Sequence, residues 1–265
     1  MKSYIAQTLI LIALIAIPFN LQSQTLHALI VADSKEKNAG EARKQDVKHL
    51  MSLLNLVSDV TGYNLEPHII EPGESILFGS NYDVPSITSL ILGLKIEKED
   101  IFFFYYTGHG TKSFKVDDPF ARPHIKGFEH KYLSLQMVQK LIQISQPRLS
   151  IVMGNLCNTY GGEDNPENRI FHQLDWTTQP KLTTQNRQQI KNLFRSKGQI
   201  TSTSSMKGTY SYQSGDGGYF TKCFINSFYK RAEQNGLMSW NLILNETKTL
   251  SEQAIGVSPY YEIEF

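Results

Sequence analysis

IFFFYYT, residues Ile101 to Thr107, is an unbroken run of strand-forming residues. It lacks the apolar–polar alternation of a strand with one face in water. Such a strand is buried on both faces, as in parallel sheets covered by helices on each side. The flanking sequence supplies those helices. Val84 to Leu94 predicts a helix, with Pro85 near its start where proline is tolerated. Leu133 to Ile144 predicts another, ended by Gln146-Pro147. Upstream, Leu26 to Ala32 (LHALIVA) is a buried strand closed by Asp33. Ala39 to Leu56 then places Ala42, Val47, Leu50, Met51, Leu53 and Leu54 at helical spacing, with cations expected on the opposite, solvated face. Glu66 to Ile70 is a further strand, stopped by Glu71-Pro72-Gly73.

Downstream, Lys112 to Lys131 is a loop and Leu149 to Met153 a second buried strand. Gly154 to Gly162 forms a polar, glycine-rich exit from it. Glu163 to Lys197 is polar, helical around Gln185 to Phe194. Gln199 to Ser205 is a strand and Gly218 to Arg231 a helix. This alternation predicts an α/β fold, a three-layer α/β/α sandwich around a mostly parallel sheet, over residues 25–265.

Composition narrows the function classes. The chain has 265 residues, 40% of them hydrophobic, which suits one sizeable core. Lys+Arg 26 against Asp+Glu 25 gives a net charge of +1, so no basic field points to nucleic acid. Two cysteines make no disulfide framework. No HExxH or CxxC pattern marks a metal site, and no organic or redox cofactor is implied. Residues 1–24 carry a lone cation, Lys2, an apolar run from Leu9 to Phe19 and a polar exit ending at Ser23 and Gln24. The apolar run falls short of the roughly 20 residues that span a bilayer. It reads as a secretory signal peptide, the chain's one expected membrane contact, with the mature protein secreted or periplasmic.

In open parallel sheets, ligands bind beyond the carboxyl ends of the strands. Three such ends carry chemistry here: Asp33, then Gly108-His109-Gly110, then Gly154-Asn155-Leu156-Cys157-Asn158. A cysteine is ordinarily a small core residue, and Cys223, within YFTKCFINSF, fits that description. Cys157 differs, because it follows a buried strand among Asn and Gly. Brought together, a thiol and an imidazole make a nucleophile and its proton acceptor. The Gly110 and Cys157 amides are then candidates for an oxyanion hole.

Strand–Thr107-Gly108-His109-Gly110 followed by strand–Asn155-Leu156-Cys157 resembles the caspase–metacaspase superfamily of cysteine peptidases. Caspases carry their histidine about 50 residues upstream of the cysteine. The likeness runs from about Leu26 to Arg231 and includes Ser204-Ser205 and Gly217-Gly218-Tyr219-Phe220-Thr221. It implies an endopeptidase with Cys157 as nucleophile and His109 as general base and acid. Protein or peptide substrates and a thioester acyl-enzyme follow from it. Calcium activates some relatives, and no motif here marks a calcium site.

The resemblance also implies the substrate pocket. Asp33, Thr107 and Asn155 are expected to line it, with Asp216 from the Gly215-Asp216-Gly217 loop adding a second carboxylate. Two acids there favour cleavage after Arg or Lys, although Asn155 stands where metacaspases commonly have Asp. Asn preference, as in legumains, stays open, and Asp33 and Asp216 also read as turn or cap residues. The segment 163–197 stands where the family has its intersubunit linker. It carries Arg169, Lys181, Arg187, Lys191, Arg195 and Lys197 as candidate processing positions. Two alternatives remain beside the peptidase: a non-catalytic caspase-like module that binds peptides or partners, and a legumain-like transpeptidase using the same thioester.

Overall fold

A computed structural model of the chain describes residues 24–72, 83–113, 118–123, 133–159, 171–234 and 236–265. The expected leader, apart from Gln24, lies outside these residues. So do Arg169 and parts of the 112–131 loop.

Six strands form one sheet. These are β1 (Thr25–Ala32), β2 (Asn64–Ile70), β3 (Ile101–Thr107), β6 (Leu149–Asn155), β7 (Gly198–Thr203) and β10 (Tyr260–Glu264). Their order is β10-β7-β6-β3-β1-β2. Every pairing is parallel except β10 against β7. Two short hairpins lie outside the sheet. β4 (Gly110–Thr111) pairs with β5 (Arg122–Pro123), and β8 (Gln213–Ser214) with β9 (Gly217–Gly218). The helices are α1 (Gly40–Thr61), α2 (Val84–Gly93), α3 (Leu135–Ile142), α4 (Thr184–Phe194), α5 (Tyr219–Glu233) and α6 (Trp240–Ile255).

β3 shows why the sandwich forms. Successive side chains alternate between the two faces of a strand. Phe103 and Tyr105 join Leu50, Leu53 and Val57 of α1 and Phe220, Phe224 and Phe228 of α5. Phe102, Phe104 and Tyr106 enter the opposite core, against Ile87 and Ile91 of α2 and Leu135, Val138 and Ile142 of α3. Each buried aromatic contributes about 1.5–3 kcal/mol, so this strand anchors both layers.

The expected elements are present, with shifted ends. α1 extends to Thr61, where Gly62 caps it in the left-handed conformation (φ 80°) and donates to the Ser58 carbonyl. β6 runs to Asn155 rather than stopping at Met153. The helix expected around Gln185 to Phe194 is α4, and it buries Ile190, Leu193 and Phe194 in the core. The cationic side of α1 is not all solvated, because Arg43 is only 4% exposed. α6 and β10 were not expected. α6 buries Trp240, Ile243, Leu244, Thr247 and Ile255 at helical spacing, and β10 is an antiparallel edge strand that turns Tyr261 and Ile263 to the core between Glu262 and Glu264.

The register aligns the strand ends. Ala32 stands opposite Thr107, and Thr107 opposite Asn155. The three chain segments expected to carry chemistry therefore leave the sheet side by side along one edge.

Candidate active site

His109 leaves the sheet two residues after β3. The Gly108 N–H donates to the Asn155 carbonyl at 3.2 Å, continuing the β3–β6 pairing past the strand end. The Tyr106 hydroxyl donates to the His109 carbonyl at 2.8 Å, fixing the backbone that carries the imidazole. Gly110 then passes against the next strand's exit. A Cβ there would lie 2.5 Å from the Cys157 carbonyl oxygen and 2.8 Å from Leu156 Cβ, so only glycine fits.

Cys157 is held by its neighbours. The Leu156 N–H donates to Ser204 Oγ at 2.9 Å, and the Ser205 hydroxyl donates to the Leu156 carbonyl at 2.8 Å. On the other side, the Asn158 N–H donates to the Thr209 carbonyl at 3.0 Å, and Asn158 Nδ2 reaches the Pro119 carbonyl at 2.8 Å. The thiol itself meets Ser211. The Ser211 N–H points at Sγ across 3.4 Å, and Sγ lies 3.7 Å from the Ser211 carbonyl. Burial pushes the Cys157 thiol up, against the lowering effects of the Ser211 N–H and the Arg43 charge. Cys223 is fully buried and pushed up to about 12, which makes it inert.

His109 and Cys157 line one cavity of about 390 Å³, together with Asn155, Arg43, Glu36 and Ser211. Of the residues expected in the substrate pocket, only Asn155 is among the described residues lining it. Asp33 is instead held by Arg43, whose Nη1 donates to its main-chain carbonyl at 2.9 Å and lies 3.1 Å from its carboxylate. The Thr107 hydroxyl is buried and donates to Asp46 at 2.8 Å. Asp216 pairs with Lys222 Nζ at 2.5 Å. Desolvation would raise its carboxyl, but the hydrogen bonds from Lys222 and Ser214 hold it below the ordinary value. Gly110 contacts the Cys157 backbone without itself being among the lining residues.

Sequence reading passed over Asp46, Arg43, Glu36 and Ser211. Asp46 left a signal: it follows Ala42 by one turn and precedes Leu50 by another, so an acid sits on the buried stripe of α1. It is 1% exposed, and burial raises its carboxyl above 3.8 in spite of donors from Gly218, Thr107 and Asn155. Ser211 left none, because its neighbour is more than fifty positions away in the chain. Among the described residues, no group of three or more His, Cys, Asp or Glu could hold a metal ion. No helix among them is long and apolar enough to cross a membrane.

A mostly parallel sheet covered on both faces, bringing a histidine and a cysteine to one cavity at its carboxyl edge, is an arrangement that cysteine peptidases use. Residues 26–254 match the caspase domain, and the chain belongs to that family, whose members are cysteine peptidases. Comparison with curated proteins finds no match.

Proposed function

We propose that the protein is an exported cysteine endopeptidase using a Cys157–His109 dyad. The observation that supports this most is that the two residues leave adjacent parallel strands, β3 and β6, and line the same cavity. His109 takes the thiol proton, and the thiolate attacks the scissile carbonyl carbon. The oxyanion so formed is met by the Gly110 and Cys157 N–H groups. Its collapse breaks the C–N bond while His109 returns the proton to the leaving amine. Water, activated by the same imidazole, then resolves the thioester.

Charge around the cavity supports a preference for Arg or Lys before the scissile bond. Asp33 is balanced by Arg43, and Asp216 by Lys222. That leaves Glu36 as the acid on the wall with no cation paired to it among the described residues. A negative group in a partly desolvated cleft attracts a cationic side chain. Export rests on the leader-like residues 1–24. Processing within 163–197 rests on its basic residues. Among the described residues, Lys181 is the one of these in the exposed, irregular stretch before α4, whereas Arg187 and Lys191 are helical.

The test is cleavage of peptides bearing Arg, Lys, Asn or Asp before the scissile bond, by wild type, Cys157→Ala and His109→Ala, with calcium present or chelated. Cleavage after Arg or Lys, lost in both variants, is the expected result. Cleavage after Asn would keep the dyad and overturn the charge argument. No cleavage by folded wild type would favour the binding-module reading. Product masses with an added amine separate hydrolysis from ligation.

A further inference from the structure

Asp46 is an interior carboxylate whose donors among the described residues are Gly218, Thr107, Asn155 and Thr221, none of them a cation. Its Oδ2 accepts from the Thr107 hydroxyl at 2.8 Å and from Asn155 Nδ2 at 3.1 Å. Its Oδ1 accepts the Gly218 N–H at 2.8 Å. Burying an acid this way is unfavourable unless its hydrogen bonds compensate. Here they join α1 to the ends of β3 and β6 and to the start of α5.

The bond to Asn155 has a directional consequence. An ionised carboxylate only accepts, so the amide must turn its NH₂ toward Asp46 and its oxygen the other way. That oxygen accepts from the Ser211 hydroxyl at 2.6 Å. Ser211 in turn brackets the Cys157 sulfur, with its carbonyl 3.7 Å away and its N–H 3.4 Å away. The carbonyl can take the S–H of the neutral thiol. The N–H can stabilise the thiolate. Gly218 leaves room for this arrangement, since a Cβ there would lie 1.7 Å from Asn155 Nδ2.

We propose that Asp46 is a positioning residue for the nucleophile, acting through Asn155 and Ser211, and that the Ser211 N–H is a thiolate donor beside His109. The inference rests on Cys157 being the nucleophile. It also accounts for an amide at position 155, because a carboxylate there could not donate to Asp46. Among the described residues, the charged and titratable groups sharing the thiol's cavity are Glu36, Arg43, His109 and Tyr212. All of them are unchanged in the variants below, and Ser211→Ala and Ser211→Thr add no charge, whereas Asn155→Asp brings one more carboxylate to the wall.

The experiment follows alkylation of Cys157 by iodoacetamide against pH, with the labelled peptide identified by mass, on the purified chain. Ser211→Ala keeps the backbone N–H but loses the hydroxyl that anchors it to Asn155. Ser211→Thr keeps the hydroxyl. A hydrogen bond to a charged group sets the expected scale, so Ser211→Ala should alkylate about tenfold more slowly at neutral pH, with its midpoint moved upward. Ser211→Thr should restore the wild-type profile. Asn155→Asp, which sets two acids against each other, should shift in the same direction as Ser211→Ala. In peptide cleavage, kcat should fall in Ser211→Ala with KM little changed. Replacing interior Asp46 threatens folding, so the part-exposed Ser211 carries the decisive comparison. Wild-type alkylation profiles in Ser211→Ala and Asn155→Asp would overturn the relay, as would a shift that Ser211→Thr fails to restore. Failure of the peptidase reading looks different: wild type would cleave nothing, while the alkylation shift in Ser211→Ala would remain.

Discussion

Arg43 holds Asp33 by both its main-chain carbonyl and its carboxylate, at 2.9 and 3.1 Å, with both side chains largely out of water. The acid at the end of β1 is thereby neutralised, and a guanidinium on the cavity wall is neutralised with it. Asp33→Asn leaves that guanidinium uncompensated. Cleavage after Arg is expected to fall about tenfold in kcat/KM, one pKa unit's worth of charge interaction. Arg43→Ala strands the acid instead, and losing one partner of a buried pair should destabilise the fold by about 3 kcal/mol. Steady-state kinetics on an Arg peptide and urea unfolding check the two outcomes. Unchanged kinetics in Asp33→Asn would mean that Arg43 does not sense the substrate.

Gly110 touches the nucleophile's backbone. An added Cβ would collide with the Cys157 carbonyl and with Leu156, and either β4 or the β6 exit must then move. A displacement of about 1 Å costs on the order of 100-fold in rate when it misplaces reacting groups. Gly110→Ala should therefore lose about 100-fold in kcat, with KM changing far less. A raised KM with kcat unchanged would instead locate the damage in substrate binding.

Asp46 makes a pH prediction with a definite sign. Burial raises its carboxyl above 3.8 in the fold. The fold therefore favours the protonated acid. Its contribution to stability is fully present below pH 3.8 and is lost as the pH rises through the raised value. Wild type minus Asp46→Asn, followed by urea unfolding at several pH values, should be most favourable to wild type at the acid end and decline toward neutrality. A difference that instead grew toward neutrality would contradict the burial of this carboxyl.

Trp176 pins the stretch preceding α4. Its ring stacks on His49 at 3.8 Å, and its Nε1 donates to the Asp216 carbonyl at 2.7 Å. Burial and the nearby Lys48 charge lower the His49 imidazole, leaving it neutral against the indole. Trp176→Ala should destabilise the protein by about 1–2 kcal/mol, as befits a half-buried ring, and speed tryptic nicking at Lys181. Nicking at the wild-type rate would show that Trp176 does not restrain this segment.

The layered fold was legible because β3 states its environment in its composition. Residues with no polar alternation can only be buried on both faces, and strand ends follow from the same run. That His109 and Cys157 line one cavity was legible for a related reason, since successive parallel strands bring their carboxyl ends to one edge. What escaped was decided by partners remote in the chain. Asp33 gives no sign in sequence that a guanidinium one turn into α1 folds back on it. Asp216 gives none that buried Lys222 reaches it from α5. Asp46 was recoverable, as an acid on an apolar helical stripe. α6 and β10 were readable but were not read: α6 repeats Trp240, Ile243, Leu244, Thr247, Ser251 and Ile255 at helical spacing, and β10 alternates Tyr261 and Ile263 with Glu262 and Glu264.

The most direct test of the account is covalent labelling with peptidyl acyloxymethyl ketones carrying Arg, Lys, Asn or Asp beside the reactive carbon, read by intact mass and peptide mapping. The account predicts one adduct, on Cys157 and not Cys223, fastest with Arg or Lys and abolished in His109→Ala. Labelling that ignores the side chain and survives loss of His109 would contradict it.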